Sequence, residues 1–460
     1  LHANELEPVL RERLARLAPD HANLAEIGAG VRETILAGEL PAALVEEVRR
    51  AYAEMAGAGE PATVAVRSSA TAEDLPQASF AGQLETYLNV TGEAALFDAL
   101  KHSLASLFTD RAIVYRENNG FDHLEVALSV GVQRMVRSDL ACSGVMFSID
   151  TETGFPGAVL INGAWGLGET VVQGMVEPDE FQVFKPLLDR AELTPIVKKQ
   201  VGSKRQKMIY AQAGATELVD VEADERARFV LDDAEVLRLA RWAKAIEAHY
   251  GQPMDIEWAK DGLTGELFIV QARPETVQSQ RKAGALRTYT LNERSDVLTR
   301  GLAIGDAIGA GPVVKLDSAA EIDRFEAGAV LVTAMTDPDW VPIMKQAAAI
   351  VTDHGGRTSH AAIVSRELGL PAIVGAGDAT RVLQDDQPVT VSCFEGDEGV
   401  VYKGELAFEV RELDLDRIPA TRTKVMVNVA QPAAAFSWWR LPTDGVGLAR
   451  MEFIVGNDIK

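Results

Sequence analysis

Between residues 23 and 57, NLAEIGAGVRETILAGELPAALVEEVRRAYAEMAG, apolar positions recur every three or four residues. That period predicts amphipathic helices, with Pro41 opening a new one. TVAVRSS (63–69) predicts a short strand running into a polar loop, and GEAALFDALKHSLASLFTDRAIVYRENNG (92–120) returns to the helical period with Gly120 as its stop. VALSVGVQRMV (126–136), SGVMFSI (143–149) and GAVLING (157–163) alternate as strands do. DDAEVLRLARWAKAIEAHYG (232–251) reads as a helix that starts at aspartates and stops at glycine. MDIEWAKDGLTGELFIVQARPET (254–276) reads as a hairpin around Asp261 and Gly262. Beyond the unpatterned, polar stretch 276–286, a predicted linker, the text changes. From 287 to about 404 it consists of short glycine-punctuated strands: GAVLVTAMT, AAAIVTD, PAIVG and PVTVSC. A second polar connection, 405–424, leads to KVMVNVA and GVGLARMEFIV, which read as the opening of another βα domain.

Length and composition narrow the class. A chain of 460 residues exceeds one core and predicts about three domains. With 47% apolar and 25% charged residues, the composition is that of a globular protein, and no run nears the ~20 apolar residues of a bilayer span. The formal charge of −23 repels nucleic acid and anionic membranes at long range, yet leaves small phosphorylated ligands open to local arginines and backbone amides. Two cysteines, Cys142 and Cys393, fit a reducing, cytoplasmic setting better than a disulfide framework, and each reads as a small buried apolar residue. The start, LHANELEPVLRERL, has no leader pattern, and its missing initiator methionine reads as a fragment.

The most chemical segment is TDHGGRTSHAAIVSRELGLPAIVG (352–375). A strand runs into a glycine turn, and His360 stands at the mouth of the helix AAIVSREL that Gly369 caps. A helix N-terminus offers unpaired N–H groups and about half a positive charge, a prebuilt anion site. Gly355 and Gly356 permit tight backbone geometry there, Arg357 brings a forked cation, and Thr358 and Ser359 bring hydroxyls. His360 could therefore attack phosphorus and carry a phosphoryl group. An isolated histidine would read as an ordinary polar helix start behind a Ser359 cap. The preceding GGRT and the clean helix favour the nucleophile. His354 reads as a loop residue rather than a metal ligand.

Two other segments suit a polyphosphate donor. In VAVRSSATAEDLPQASFAGQLETYLNV (64–90), Arg67 leaves a strand beside small hydroxyl residues, and Ser79-Phe80-Ala81-Gly82 lets backbone approach phosphate. In the 254–276 hairpin, alternation places Asp255 and Glu257 on one face, with Ile269, Gln271 and Arg273 sharing a face of the second strand. Carboxylate, amide and guanidinium together suit Mg²⁺ and nucleotide phosphate, the bland alternative being a surface salt-bridge face. NGAWGLGETVVQGMVEPDEF (162–181) is glycine-rich without a Walker pattern, and Glu169 and Glu180 could line a nucleotide site. Arg116, Arg134 and Arg137 read chiefly as solvated charge.

Together these segments resemble the phosphoenolpyruvate synthase (pyruvate, water dikinase) family of PEP-utilising enzymes. VRSSATAEDLPQASFAGQLETYLNV, GVMFSIDTETGF, WGLGETVVQGMVEPDEF, GQPMDIEWAKDG and LFIVQARPET are similar to its ATP-grasp domain. MTDPDWVPIMKQAAAIVTDHGGRTSHAAIVSRELGLPAIVG is similar to its swivelling phosphohistidine domain, and LPTDGVGLARMEFIV to the opening of its substrate barrel. The resemblance implies a multidomain α/β and α+β chain: an ATP-grasp nucleotide domain over 1–275, a swivelling β/β/α phosphohistidine domain over 287–404, and the first strands of a TIM-type barrel over 425–460.

It implies the reaction ATP + pyruvate + H₂O → AMP + phosphoenolpyruvate + phosphate, a phosphotransferase with paired acceptors, carried by His360. Arg67, Gly82, Glu257, Gln271 and Arg273 would hold ATP, with Glu257 and Gln271 on Mg²⁺. Arg450 would meet pyruvate or phosphoenolpyruvate, and Thr358 would be the target of a regulatory kinase/phosphorylase. A homodimer of the full-length enzyme fits the same family. Family segments expected before residue 1 and after Lys460 are absent, so the expectation is that the parent, and not this chain alone, completes the reaction. Competing readings are a pyruvate, phosphate dikinase or other ATP-grasp phosphotransferase, and a noncatalytic phosphocarrier fragment.

Overall fold

A computed structural model describes residues 1–460 except 19–20, 57–58, 60, 71–73, 76–77, 80–85, 119, 212–215, 276–284, 358, 420, 431–434, 437 and 458–460. Most of the 276–286 linker, Gly82 and Thr358 therefore lie outside the described residues. The chain divides into two compact units, one of residues 1–137 with 209–217, the other of 138–208 with 218–460.

In the first unit the three- and four-residue period yields helices α1 (Glu7–Leu14), α2 (Leu24–Ala37) and α3 (Ala42–Ala56). The predicted 92–120 helix is broken into α4 (Glu93–Ala105) and α5 (Asp110–Asn118), with Gly120 at φ +69° beyond them. Strand β1 (Thr63–Ala70) is paired antiparallel with β2 (Thr86–Thr91) and β3 (Leu128–Arg134) on its two edges. Val64, Val66 and Val90 pack against Leu96 and Leu100 of α4. Arg116, expected as solvated charge, is instead fully buried over the Phe108 ring, its Nε donating to His123 Nδ1 at 3.1 Å.

In the second unit, β4 (Cys142–Phe147), β5 (Ala158–Trp165), β6 (Asp179–Phe184), β7 (Ile196–Gln200), β8 (Met254–Lys260) and β9 (Leu267–Pro274) form an antiparallel sheet in the order β9-β8-β4-β5-β6-β7. A short helix, α6 (Glu169–Val172), bridges β5 and β6. Helix α7 (Asp233–Tyr250) lays Val236, Leu239, Ala240 and Ala243 on that sheet. Its start is a capping box between Asp232 and Glu235, and Gly251 ends it at φ +70°, as the sequence predicts.

Downstream, β10 (Ala285–Leu291) precedes seven strands: β11 (Val297–Ile304), β12 (Ile308–Lys315), β13 (Val330–Thr333), β14 (Ala349–Thr352), β15 (Ala372–Val374), β16 (Pro388–Ser392) and β17 (Glu398–Lys403). They close into a barrel in the order β11-β15-β14-β13-β12-β16-β17, with the parallel strands β12 to β15 on one side and antiparallel pairings on the other. The reason is written in the strands. VLVT and AIVT are apolar but for a terminal threonine, and AIV is apolar throughout, so both faces must be buried. Val330, Val332, Ala349, Val351 and Ile373 fill one core, while Leu331, Ile350, Ala372 and Val374 pack in another with Trp340, Met344 and helix α8 (His360–Leu368).

Strand β18 (Phe408–Asp414) pairs antiparallel with β10, from Ala285↔Asp414 to Leu291↔Phe408. Part of the second polar connection is thus a strand. Further on, β19 (Val427–Val429) and β20 (Val446–Ala449) pair in parallel, and α9 (Met451–Asn457) follows.

Candidate functional site

Ser359 caps α8 with its side chain, accepting from Ala362 N at 3.4 Å, and His360 is the first helical residue. Gly355 supplies the turn at φ +117°, a conformation that favours glycine. His360 Nδ1 lies 2.9 Å from Thr336 Oγ1, a partner the sequence reading missed. In the tautomer that donates Nδ1–H to this hydroxyl, Nε2 carries the lone pair. Burial pushes the imidazole down to about 4, against the opposing pull of Asp337, so the ring is neutral at pH 7. A neutral imidazole tied at one nitrogen keeps a lone pair on the other, the form that attack on phosphorus requires.

Arg357 was expected to offer its guanidinium to phosphate. Only 7% exposed, it is committed to carboxylates instead: Asp397 Oδ1 at 2.7 Å, Glu152 Oε1 at 3.3 Å and Glu180 Oε2 at 3.5 Å. Glu180, read as lining a nucleotide site, is also held by Lys198 Nζ at 2.7 Å. Glu152 carried no signal in the sequence, since its partner Arg366 lies 214 positions away. Glu169 opens α6, and burial raises its carboxyl above the ordinary value.

On the hairpin, Glu257 stands opposite Gln271 and Asp255 opposite Arg273, whose Nη2 meets Asp255 Oδ2 at 2.7 Å. The register shifts between Glu257, opposite Gln271, and Trp258, opposite Ile269, a bulge that falls at Val270. That bulge corrects the predicted face. Ile269 pairs with Trp258 and packs against the apolar core, while Gln271 and Arg273 remain with the acidic residues. Glu257 and Gln271 supply two oxygen donors, a set that fits Mg²⁺, which takes one or two protein oxygens and completes its shell with phosphate and water. Among the described residues no cluster of three or more His, Cys, Asp or Glu has metal-binding geometry.

Arg67 stands on β1 of the first unit, at the register position between Thr86 and Gly131. Arg450 is exposed at the C-terminal end of β20, its N–H bonded to Val429 O at 2.8 Å. Cys142 and Cys393 are both buried, and burial pushes each thiol up to about 12, as expected for packing residues. Among the described residues no helix is long and apolar enough to cross a membrane.

Residues 1–293 match the pyruvate phosphate dikinase, AMP/ATP-binding domain family, and residues 325–396 match the mobile domain of PEP-utilising enzymes. A Pseudomonas aeruginosa protein named phosphoenolpyruvate synthase is 54% identical, with 100% of this chain and 58% of the relative covered. Proteins of the same name from Escherichia coli and Aquifex aeolicus are 54% and 50% identical, over 96% and 100% of this chain and 56% and 55% of their own lengths. The chain thus spans somewhat over half the length of the curated relatives it matches. Since the first match takes in 293 of the 460 residues, the chain belongs to the pyruvate phosphate dikinase AMP/ATP-binding domain family, with a PEP-utilising mobile domain behind it.

Proposed function

We propose that this chain carries the phosphoryl-transfer machinery of a pyruvate, water dikinase. Residues 1–275 act as an ATP-grasp nucleotide portion, 287–404 as a swivelling carrier, and 425–460 as the start of the pyruvate barrel. His360 Nε2 attacks the β-phosphorus of ATP and displaces AMP. Water then cleaves the pyrophosphohistidine, releasing orthophosphate and leaving phospho-His360. The remaining phosphoryl group passes to the enolate oxygen of pyruvate as a methyl proton departs, giving phosphoenolpyruvate. Arg67, Gly82 and Arg273 bind ATP. Glu257 and Gln271 hold Mg²⁺, which neutralises phosphate charge when bound. Arg450 binds the three-carbon acid, and a phosphate on Thr358 would block transfer by adding about two negative charges beside the ring.

One observation carries this reading. A neutral imidazole, tied at Nδ1 to Thr336, begins a capped helix inside the segment that matches the mobile domain. The relatives are named phosphoenolpyruvate synthase, which supports phosphoenolpyruvate as the product, while water as the second acceptor follows from the resemblance drawn from the sequence. The test is incubation with Mg²⁺ and ATP labelled at the β or γ position. The expected result is β-label on His360 as an acid-labile, base-stable adduct, with γ-label released as orthophosphate and none of either on His360→Ala. Wild-type protein that takes up no label sinks the proposal. Turnover that requires orthophosphate and yields pyrophosphate selects the phosphate dikinase instead.

A further inference from the structure

We propose that Glu152 is a latch that positions the His360 loop against the six-stranded sheet's connections, and that release of this latch frees the carrier. The inference rests on the carrier role assigned to His360 above. Glu152 lies in the turn between β4 and β5, outside the barrel, yet its carboxylate gathers three separate segments of the barrel module. Its Oε1 accepts from Arg366 Nε at 3.0 Å and from Arg366 Nη2, and lies 3.3 Å from Arg357 Nη1. Its Oε2 accepts from the backbone N–H of Gly305 at 3.4 Å. Arg366 Nη1 in turn donates to Arg357 O at 2.5 Å, so one acid braces the loop before His360, through Arg357, and the helix that His360 opens, through Arg366.

The turn is built to hold that acid still. Asp150 accepts from the N–H groups of Glu152 at 2.9 Å and Thr153 at 3.1 Å, and from Gln182 Nε2 at 2.8 Å. Burial opposes charge on Glu152, but the Arg366 and Arg357 guanidinia outweigh it and hold the carboxyl below the ordinary range. Close backbone fit accompanies the charge. Gly174, at φ +70°, leaves no room for a Cβ against Ser359, and a Cβ on Gly356 would come within 3.2 Å of Pro178 Cδ. Downstream residues meet the same turn: Trp439 Nε1 donates to Thr153 O at 3.1 Å, and Phe436 packs on Phe155 with ring centres 4.9 Å apart.

Such a pair selects a docked position more than it glues it. Desolvating the acid and two guanidinia roughly offsets their attraction, and undocking returns all three to water. Reversible holding follows from that balance.

The test is hydrogen exchange of the intact chain and its Glu152→Gln form, beside the ATP-labelling rate of each. The expected result is that protection of amides 359–363 falls about tenfold or more, while α7 and β5 keep theirs. ATP affinity should hold within about twofold as the labelling rate of His360 drops. Were α7 and β5 to lose protection too, Arg366→Gln, which breaks the pair from the opposite side, is read by the same criterion. Unchanged protection at 359–363 in folded variants overturns the latch. Absence of label from the wild type overturns the function proposed above and leaves the exchange result to decide the latch alone.

Discussion

His360 shows how burial can tune a side chain against the pull of a nearby carboxylate. Burial lowers its pKa to about 4 from an ordinary value of about 6.5, so the unfolded chain binds a proton that the folded one refuses. Stability from this residue is intact above about pH 6.5 and drains away as pH falls toward 4, on the order of 3 kcal/mol in all. Proton NMR of the His360 ring should therefore show a midpoint near 4, and a midpoint at or above 6.5 would remove the burial argument. The residue itself was legible because its cues are local: GGRTS, a helix period, a glycine stop. Thr336 and Glu152 were not legible. Each acts on a partner distant in sequence, 24 positions away for Thr336 and 214 for Glu152, that only the folded chain brings near.

Among elements, strand β6 shows how a polar residue can fasten loops. Asp179 and Lys204 are both fully buried and ion-paired, and Asp179 also accepts from the N–H groups of Gly202 and Val230, each at 2.8 Å. Replacing Lys204 with Met strands a buried carboxylate, so denaturant unfolding should lose about 3–5 kcal/mol. Adding Asp179→Asn should recover part of that, and a single-variant loss well under ~1 kcal/mol would mean the pair tolerates water. Helix α7 was readable to the residue, since its aspartate start and glycine stop are encoded next to the period they bound. The bulge at Val270 was invisible, because no glycine or proline marks it and a period-two count runs straight through. The barrel strands announced two-sided burial but not closure, which depends on pairings between β11 and β17 far apart in sequence.

At the scale of the molecule, the barrel module begins and ends in one place. Strands β10 and β18 run side by side over seven paired positions, with Arg287 Nε 3.1 Å from Glu412 Oε2 across them. A module whose two ends meet should fold when excised. Residues 285–414 alone are expected to unfold cooperatively by circular dichroism, and a broad, non-cooperative melt would show that the barrel leans on the rest of the chain. The pairing also has a mechanical meaning. Both tethers form a single stalk about 23 Å long, at ~3.3 Å for each residue. Only the short stretches 292–296 and 404–407 join it to the barrel. Rotating those few torsions would wheel the whole drum, imidazole included, about one pivot while leaving every rung of the ladder intact.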